Sequence, residues 1–154
     1  MTSFVKKIQC FILALILTLG VCTNLAAANF ERDDGLKVED AYFLNEYLTS
    51  FSDLKAHVVV SNEANTSATV RAFIAYYDTL GNLKDVASDS KKVLANGEET
   101  LNISLYINNA SEGEKAKLLV WKDDSNTIDP LIKPITIFYN EDYENSDADV
   151  RTEA

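Results

Sequence analysis

Cysteine, histidine, tryptophan and proline are scarce in this chain of 154 residues, with two, one, one and two copies respectively. Cys10 and Cys22 both fall in an N-terminal stretch that reads as a leader. The chain beyond residue 28 therefore has no thiol for a disulfide or a thiolate metal site and must draw its stability from an apolar core. Without a second histidine or a cysteine beside His57, ordinary zinc sites are not expected. A serine–histidine triad would have to use His57, yet no Gly-x-Ser-x-Gly elbow nominates a nucleophile. The five glycines form no phosphate loop. No metal or cofactor is expected, and an enzyme is the least supported class.

Long apolar runs are missing as well, except at the start. Lys6 and Lys7 precede an apolar stretch from Ile8 to Val21, and Thr23-Asn24-Leu25-Ala26-Ala27-Ala28 comes after it. This is the layout of a secretory signal peptide, with Ala26-x-Ala28 offering the small side chains that cleavage needs. The apolar stretch is shorter than the roughly 20 residues a membrane-crossing helix requires. Residues 1–28 are thus expected to leave as a leader, with no stable transmembrane anchor. Leu19-Gly20-Val21-Cys22 loosely resembles a bacterial lipobox, so lipid attachment at Cys22 is the minority alternative to a secreted or surface-exposed chain.

Acidic residues outnumber basic ones, 24 to 14. Lys6 and Lys7 belong to the leader while every acid lies beyond it, so the remainder carries 12 basic against 24 acidic side chains, a formal charge of −12. Such a surface repels nucleic acid. In residues 140–154, Glu141, Asp142, Glu144, Asp147, Asp149 and Glu153 face only Arg151, the composition of a solvated, disordered tail. Residues 29–35 read as a polar lead-in. The folded unit is expected over residues 36–139, a size at which one domain can bury its own core.

Within that unit the apolar residues alternate rather than recur at helical spacing, and turn residues interrupt them regularly. Seven strands are expected: Val38 to Leu44, Lys55 to Asn62, Ser67 to Asp78, Leu83 to Val93, Glu99 to Ile107, Lys115 to Asp123 and Ile132 to Tyr139. Gly81 and Asn82 supply one turn by accepting positive φ, and Asn96-Gly97 supplies another. The fourth strand, with Ser88, Asp89, Ser90, Lys91 and Lys92, suits a sheet edge. Pro130 and Pro134 confine the segment around them to loop or edge geometry. Short connections imply antiparallel pairing. The class is all-β, an antiparallel immunoglobulin-like or fibronectin-like sandwich, with a jelly roll as the competing architecture.

Phe73-Ile74-Ala75-Tyr76-Tyr77-Asp78, Leu94-Ala95-Asn96-Gly97-Glu98, Ala116-Lys117-Leu118-Leu119-Val120-Trp121 and Ile128-Asp129-Pro130-Leu131 together resemble segments of small sandwich modules in secreted clostridial and related Gram-positive hydrolases and surface proteins. Those modules often carry an aliphatic-Trp-Asp step and then a Met-Lys-Pro-Leu-like segment. Here Lys122 intervenes before Asp123, and Ile128-Asp129 replaces Met-Lys. The resemblance implies a non-catalytic accessory or spacer module.

Asp123, Asp124 and Asp129 could offer oxygen ligands to calcium, but their spacing matches no calcium loop and turn capping is the simpler expectation. Asn65-Thr66-Ser67, Asn102-Ile103-Ser104 and Asn109-Ala110-Ser111 match the glycosylation pattern but read as polar turn and strand residues in a bacterial setting.

The aromatic residues are more telling. Thr69 and Arg71 mark the outward face of the third strand, and strand parity places Phe73 and Tyr77 on it, with Val70, Ala72, Ile74 and Tyr76 inward. In the sixth strand Lys115 and Lys117 mark the face that carries Leu119 and Trp121, with Ala116, Leu118 and Val120 inward. These two strands are neighbours in an immunoglobulin-like topology. The expected binding surface is therefore Trp121, Phe73, Tyr77 and Leu119 beside Arg71 and Lys117, docking an unidentified protein or, alternatively, stacking a carbohydrate ring. A register slip of one residue would turn the same side chains into core. The expected role is binding or spacing outside the cell by a monomer or weak oligomer.

Overall fold

A computed structural model describes residues 34–124 and 127–140. The leader, Cys22, the start of the lead-in and residues 141–154 lie outside the described residues. Those described are all-β and contain no helix. Eight strands run in the order β1 (Leu36–Phe43), β2 (Ser52–Asn62), β3 (Ala68–Tyr77), β4 (Leu83–Val93), β5 (Gly97–Ile107), β6 (Lys115–Asp124), β7 (Thr127–Pro130) and β8 (Ile135–Phe138). β1 and β2 start earlier than expected, and Thr127–Pro130 is a short strand rather than only a connection. Pro130 is tolerated there because the strand is paired only with β6 and is four residues long.

The strands form two antiparallel sheets. One has the order β1-β2-β5, the other β4-β3-β6-β7 with β8 also paired to β6. Alternation along each strand dictates what lies between them. Leu54, Ala56, Val58 and Val60 of β2 and Leu101, Ile103, Leu105 and Ile107 of β5 project from one sheet. Val70, Ala72, Ile74 and Tyr76 of β3 and Ala116, Leu118 and Val120 of β6 meet them from the other. Each fully buried Leu, Ile or Val contributes about 1.5–3 kcal/mol by leaving water, which replaces the missing disulfides.

Local irregularities adjust this alternation. In β1 the register shifts between Val38 and Asp40, so the inward set passes from Leu36 and Val38 to Ala41. The Glu39 carboxylate at this bulge accepts hydrogen bonds from Lys37 Nζ at 2.7 Å and Ser61 Oγ at 2.6 Å. Such a bulge also discourages a further strand from adding to the edge. β4 is indeed an edge strand, and its Asp89 carboxylate accepts a hydrogen bond from the Asn102 N–H of β5 at 3.2 Å, closing one side of the sandwich.

At one end, the buried Asn62 side chain donates to the carbonyls of Thr66, Val93 and Leu94 and accepts from Ala64 N–H. It thereby satisfies a loop that would otherwise bury unpaired backbone groups. Gly35, at φ +77°, packs against the same loop; a Cβ there would stand 2.6 Å from Ala64 N. The turn after β3 departs from expectation in one detail. Gly81 adopts φ +86°, but Asn82 does not take positive φ. Instead the Asp78 carboxylate accepts from the Leu80 and Asn82 N–H groups and from Asn82 Nδ2, so a charged cap closes the turn.

Candidate functional site

Directly opposed residues of an antiparallel pair share a face, so the register of β3, β4, β6, β7 and β8 defines the outer surface of the larger sheet row by row. Ser90, Arg71, Trp121 and Pro130 form one row. Ser88, Phe73 and Leu119 form the next. Then come Val86, Ala75, Lys117 and Thr136, and finally Leu83, Tyr77, Lys115 and Phe138. The six residues singled out in the sequence are thus brought onto one surface: Trp121, Phe73, Tyr77, Leu119, Arg71 and Lys117. All six are half-buried, while Val70, Ala72, Ile74 and Tyr76 of β3 and Ala116, Leu118 and Val120 of β6 are buried. The parity is therefore outward, and a slip of one residue is ruled out.

Phe73 and Trp121 are diagonal neighbours across β3 and β6, with ring centroids 4.7 Å apart and planes inclined by 51°. A tilted aromatic pair of this kind contributes about 0.5–1.5 kcal/mol beyond its buried area. Arg71 donates to Asp123 Oδ2 through Nε at 3.1 Å and Nη2 at 2.9 Å. Both side chains are about 40% exposed, so the pair orients the guanidinium beside Trp121 more than it stabilises the fold. Lys117 Nζ lies 5.4 Å from the Tyr77 ring centroid, a cation resting on an aromatic face.

Four apolar residues on this surface escaped sequence reasoning: Leu83, Val86, Pro130 and Phe138. Leu83, Val86 and Phe138 are 56%, 48% and 59% exposed, well beyond what Phe73 or Trp121 show. Val86 and Leu83 sit in a strand whose composition signals only a polar edge. Their place beside Ala75 and Tyr77 depends on a register that composition does not carry.

The acids expected as possible calcium ligands are spread along the β6–β7 hairpin. Asp123 opposes Ile128, Asp124 opposes Thr127, and Asp129 opposes Lys122. Asp123 is engaged with Arg71, and no cluster suited to a metal ion occurs among the described residues. His57 lies on the other sheet, where its Nδ1 is 3.0 Å from Asn102 Oδ1 and its ring is 5.4 Å from that of Tyr42.

A polar cluster holds the lower end of the larger sheet. The Tyr76 hydroxyl donates to Glu114 Oε2, and Lys84 Nζ donates to Glu114 Oε1 at 2.7 Å and to the Tyr76 hydroxyl at 3.0 Å. Burial alone would raise the Glu114 carboxyl, but the hydrogen bonds from Lys84 and Tyr76 outweigh it and hold its pKa below the ordinary value. Burial would likewise lower Lys84, yet its bonds to Glu114 and Tyr76 leave it raised. Burial, then the bond to Glu114, raises the Tyr76 phenol. The register shift between Tyr76 and Tyr77 accompanies the placement of Lys84 in this cluster while Leu83 stays on the outer face. Tyr76 and Glu114 are buried, so the cluster braces the strand ends rather than meeting a ligand.

No protein-family model matches the chain, and no curated protein matches it in sequence. Solved structures do match in fold. The C-terminal domain of wzt is 12% identical with a TM-score of 0.52, over 74% of this chain and 79% of that one. A β-glucuronidase from glycoside hydrolase family 2 is 14% identical with a TM-score of 0.45, over 68% of this chain and only 11% of the hydrolase. The CARDB domain of the PF1109 protein from Pyrococcus furiosus is 12% identical with a TM-score of 0.44, over 75% and 92%. The likeness to the wzt domain concerns fold alone.

Proposed function

We propose that this chain is an exported, non-catalytic immunoglobulin-like module that works outside the cell by binding through the outer face of its larger sheet. The observation that supports this most strongly is the placement of Trp121, Phe73, Leu119 and Tyr77 on a solvent-facing surface that also carries Leu83, Val86 and Phe138. Water-facing sheet surfaces ordinarily carry polar side chains, and a contiguous apolar patch on one is a mark of docking. Export rests on the leader read from residues 1–28. The strand order supports the immunoglobulin-like description, since β5 returns to β2 and β6 returns to β3 across the two sheets. The resemblance to accessory modules of secreted Gram-positive hydrolases agrees with such a role.

The test is capture from the native extracellular fraction with three immobilised proteins: the unaltered chain, Trp121→Ala and Tyr42→Ala. A partner retained by the first and third but lost by the second supports the assignment. Equal capture by all three, or loss only with Tyr42→Ala, would move the site elsewhere. Glycan analysis of the eluate separates a carbohydrate ligand from a protein.

A further inference from the structure

The charge on this face is opposite to that of the chain. On a protein of formal charge −10, the outer face of the larger sheet presents, among the described residues, Lys92, Arg71, Lys115 and Lys117 against one carboxylate, Asp123, which Arg71 already engages. Lys92, Lys115 and Lys117 take part in no ion pair among the described residues. The smaller sheet has the reverse balance. Its outer surface carries Glu39, Asp40, Asp53 and Glu98 against Lys37 and Lys55, with Lys37 held by Glu39. The cationic residues are therefore concentrated where the apolar side chains are.

Resting on the binding role proposed for this face, we infer that its partner is a protein segment combining apolar side chains with Asp and Glu. Three observations select this class. The rings are poorly arranged for a sugar: Phe73 and Trp121 are inclined by 51° and so share no common stacking plane, and Lys117 occupies one face of Tyr77. Leu119, Val86 and Leu83 complete the patch with aliphatic surface, which suits Leu or Phe of a partner. An extended polyanion, such as a lipid surface or acidic polysaccharide, would meet the whole acidic molecule. A short segment lying on the face responds mainly to charges within the Debye length of about 8–10 Å. The size agrees, because four strands about 4.8 Å apart and about eight residues long project roughly 500 Å². That is at the lower end for a folded partner and adequate for a segment.

The experiment tracks backbone amide signals of the full chain by NMR while four probes are added. They are a synthetic peptide of Asp, Glu, Leu and Phe, its counterpart with Lys and Arg replacing the acids, oligogalacturonate, and phosphatidylserine vesicles. The expected result is that the acidic peptide alone shifts Phe73, Val86, Leu119 and Trp121. Its affinity should fall about tenfold in the Lys115→Glu/Lys117→Glu double variant and weaken with added salt, as interfacial charge pairs do. If that variant does not fold, Lys115→Gln/Lys117→Gln reads the same contribution. No response to the acidic peptide, or an equal response to the basic one, overturns the inference. Shifts of the same residues by oligogalacturonate or vesicles, without the acidic peptide, overturn the partner class but leave the face in place. Shifts confined to Tyr42, His57 and Asn102 would overturn the face itself.

Discussion

The two outer surfaces of this sandwich are built by the same alternation and come out chemically unlike. On the smaller sheet the outward positions read Asp53, Lys55, His57, Val59 and Ser61 along β2, and Glu98, Thr100, Asn102, Ser104 and Tyr106 along β5. Nearly all are polar, and His57 is tied to Asn102 and packed on Tyr42. On the larger sheet the outward positions read Arg71, Phe73, Ala75 and Tyr77 along β3, and Lys115, Lys117, Leu119 and Trp121 along β6. Both sheets donate equally regular apolar rows to the core, so folding does not require the second surface to be apolar. The excess of aromatic and aliphatic side chains there is an extra cost in solubility, for which the proposed docking role would account.

Changes that break the comparison rank by how deep they reach. Leu118→Ala should be the most damaging, costing about 3 kcal/mol because it opens a cavity between the sheets. Leu119→Ala, one residue away on the outer face, should cost under about 1 kcal/mol. Urea unfolding midpoints of the pair would measure the contrast, and similar losses would mean that the face is covered.

Glu114→Gln should come next, at about 1–2 kcal/mol, since it weakens the bonds that hold Tyr76 and Lys84 at the end of the larger sheet. The pH dependence has a defined sign. The Glu114 carboxyl is held below its ordinary value of 4.5, so its contribution is in force above that pH and is lost as pH falls through the lowered value. Lys84 is held above 10.5, so its contribution persists below that pH and is lost as pH rises through the raised value. Melting temperature against pH should therefore decline less steeply in acid for Glu114→Gln than for the unaltered chain. An unchanged acid limb would mean that Glu114 contributes nothing to the brace.

Trp121→Ala should forfeit about 0.5–1.5 kcal/mol of ring contact with Phe73 in addition to the area the indole buries, and should abolish capture of the partner. His57→Ala, at the matching place on the other surface, should change capture not at all. The smallest effect is optical. Trp121 is the single tryptophan, so its fluorescence reports this face alone, and acrylamide should quench it partially in the free chain. Complete protection from the quencher would mark it as core.

Much of this was legible from residue order because a two-residue period carries both strand position and face. Phe73 and Trp121 could be set outward from Arg71 and Lys117 without knowing the fold. What escaped depends on register or on distant partners. β7 is four residues containing Asp129 and Pro130, too short and too polar to show alternation. Val86 and Leu83 join the face through their opposition to Ala75 and Tyr77. The bonds of Asn62 to the Val93 and Leu94 carbonyls, and of Tyr76 to Glu114, close across more than 30 residues and leave no local mark. The bulge in β1 likewise exchanges its faces midway, which a strict alternation would have misplaced.

The most direct test is radical footprinting of the full chain, alone and with its captured partner bound. If the outer face of the larger sheet is the docking surface, Phe73, Leu119, Trp121 and Phe138 will be protected, with Tyr42 and Tyr106 labelled equally in both states. Protection of Tyr42 and Tyr106 with Phe73 and Trp121 unchanged would contradict it.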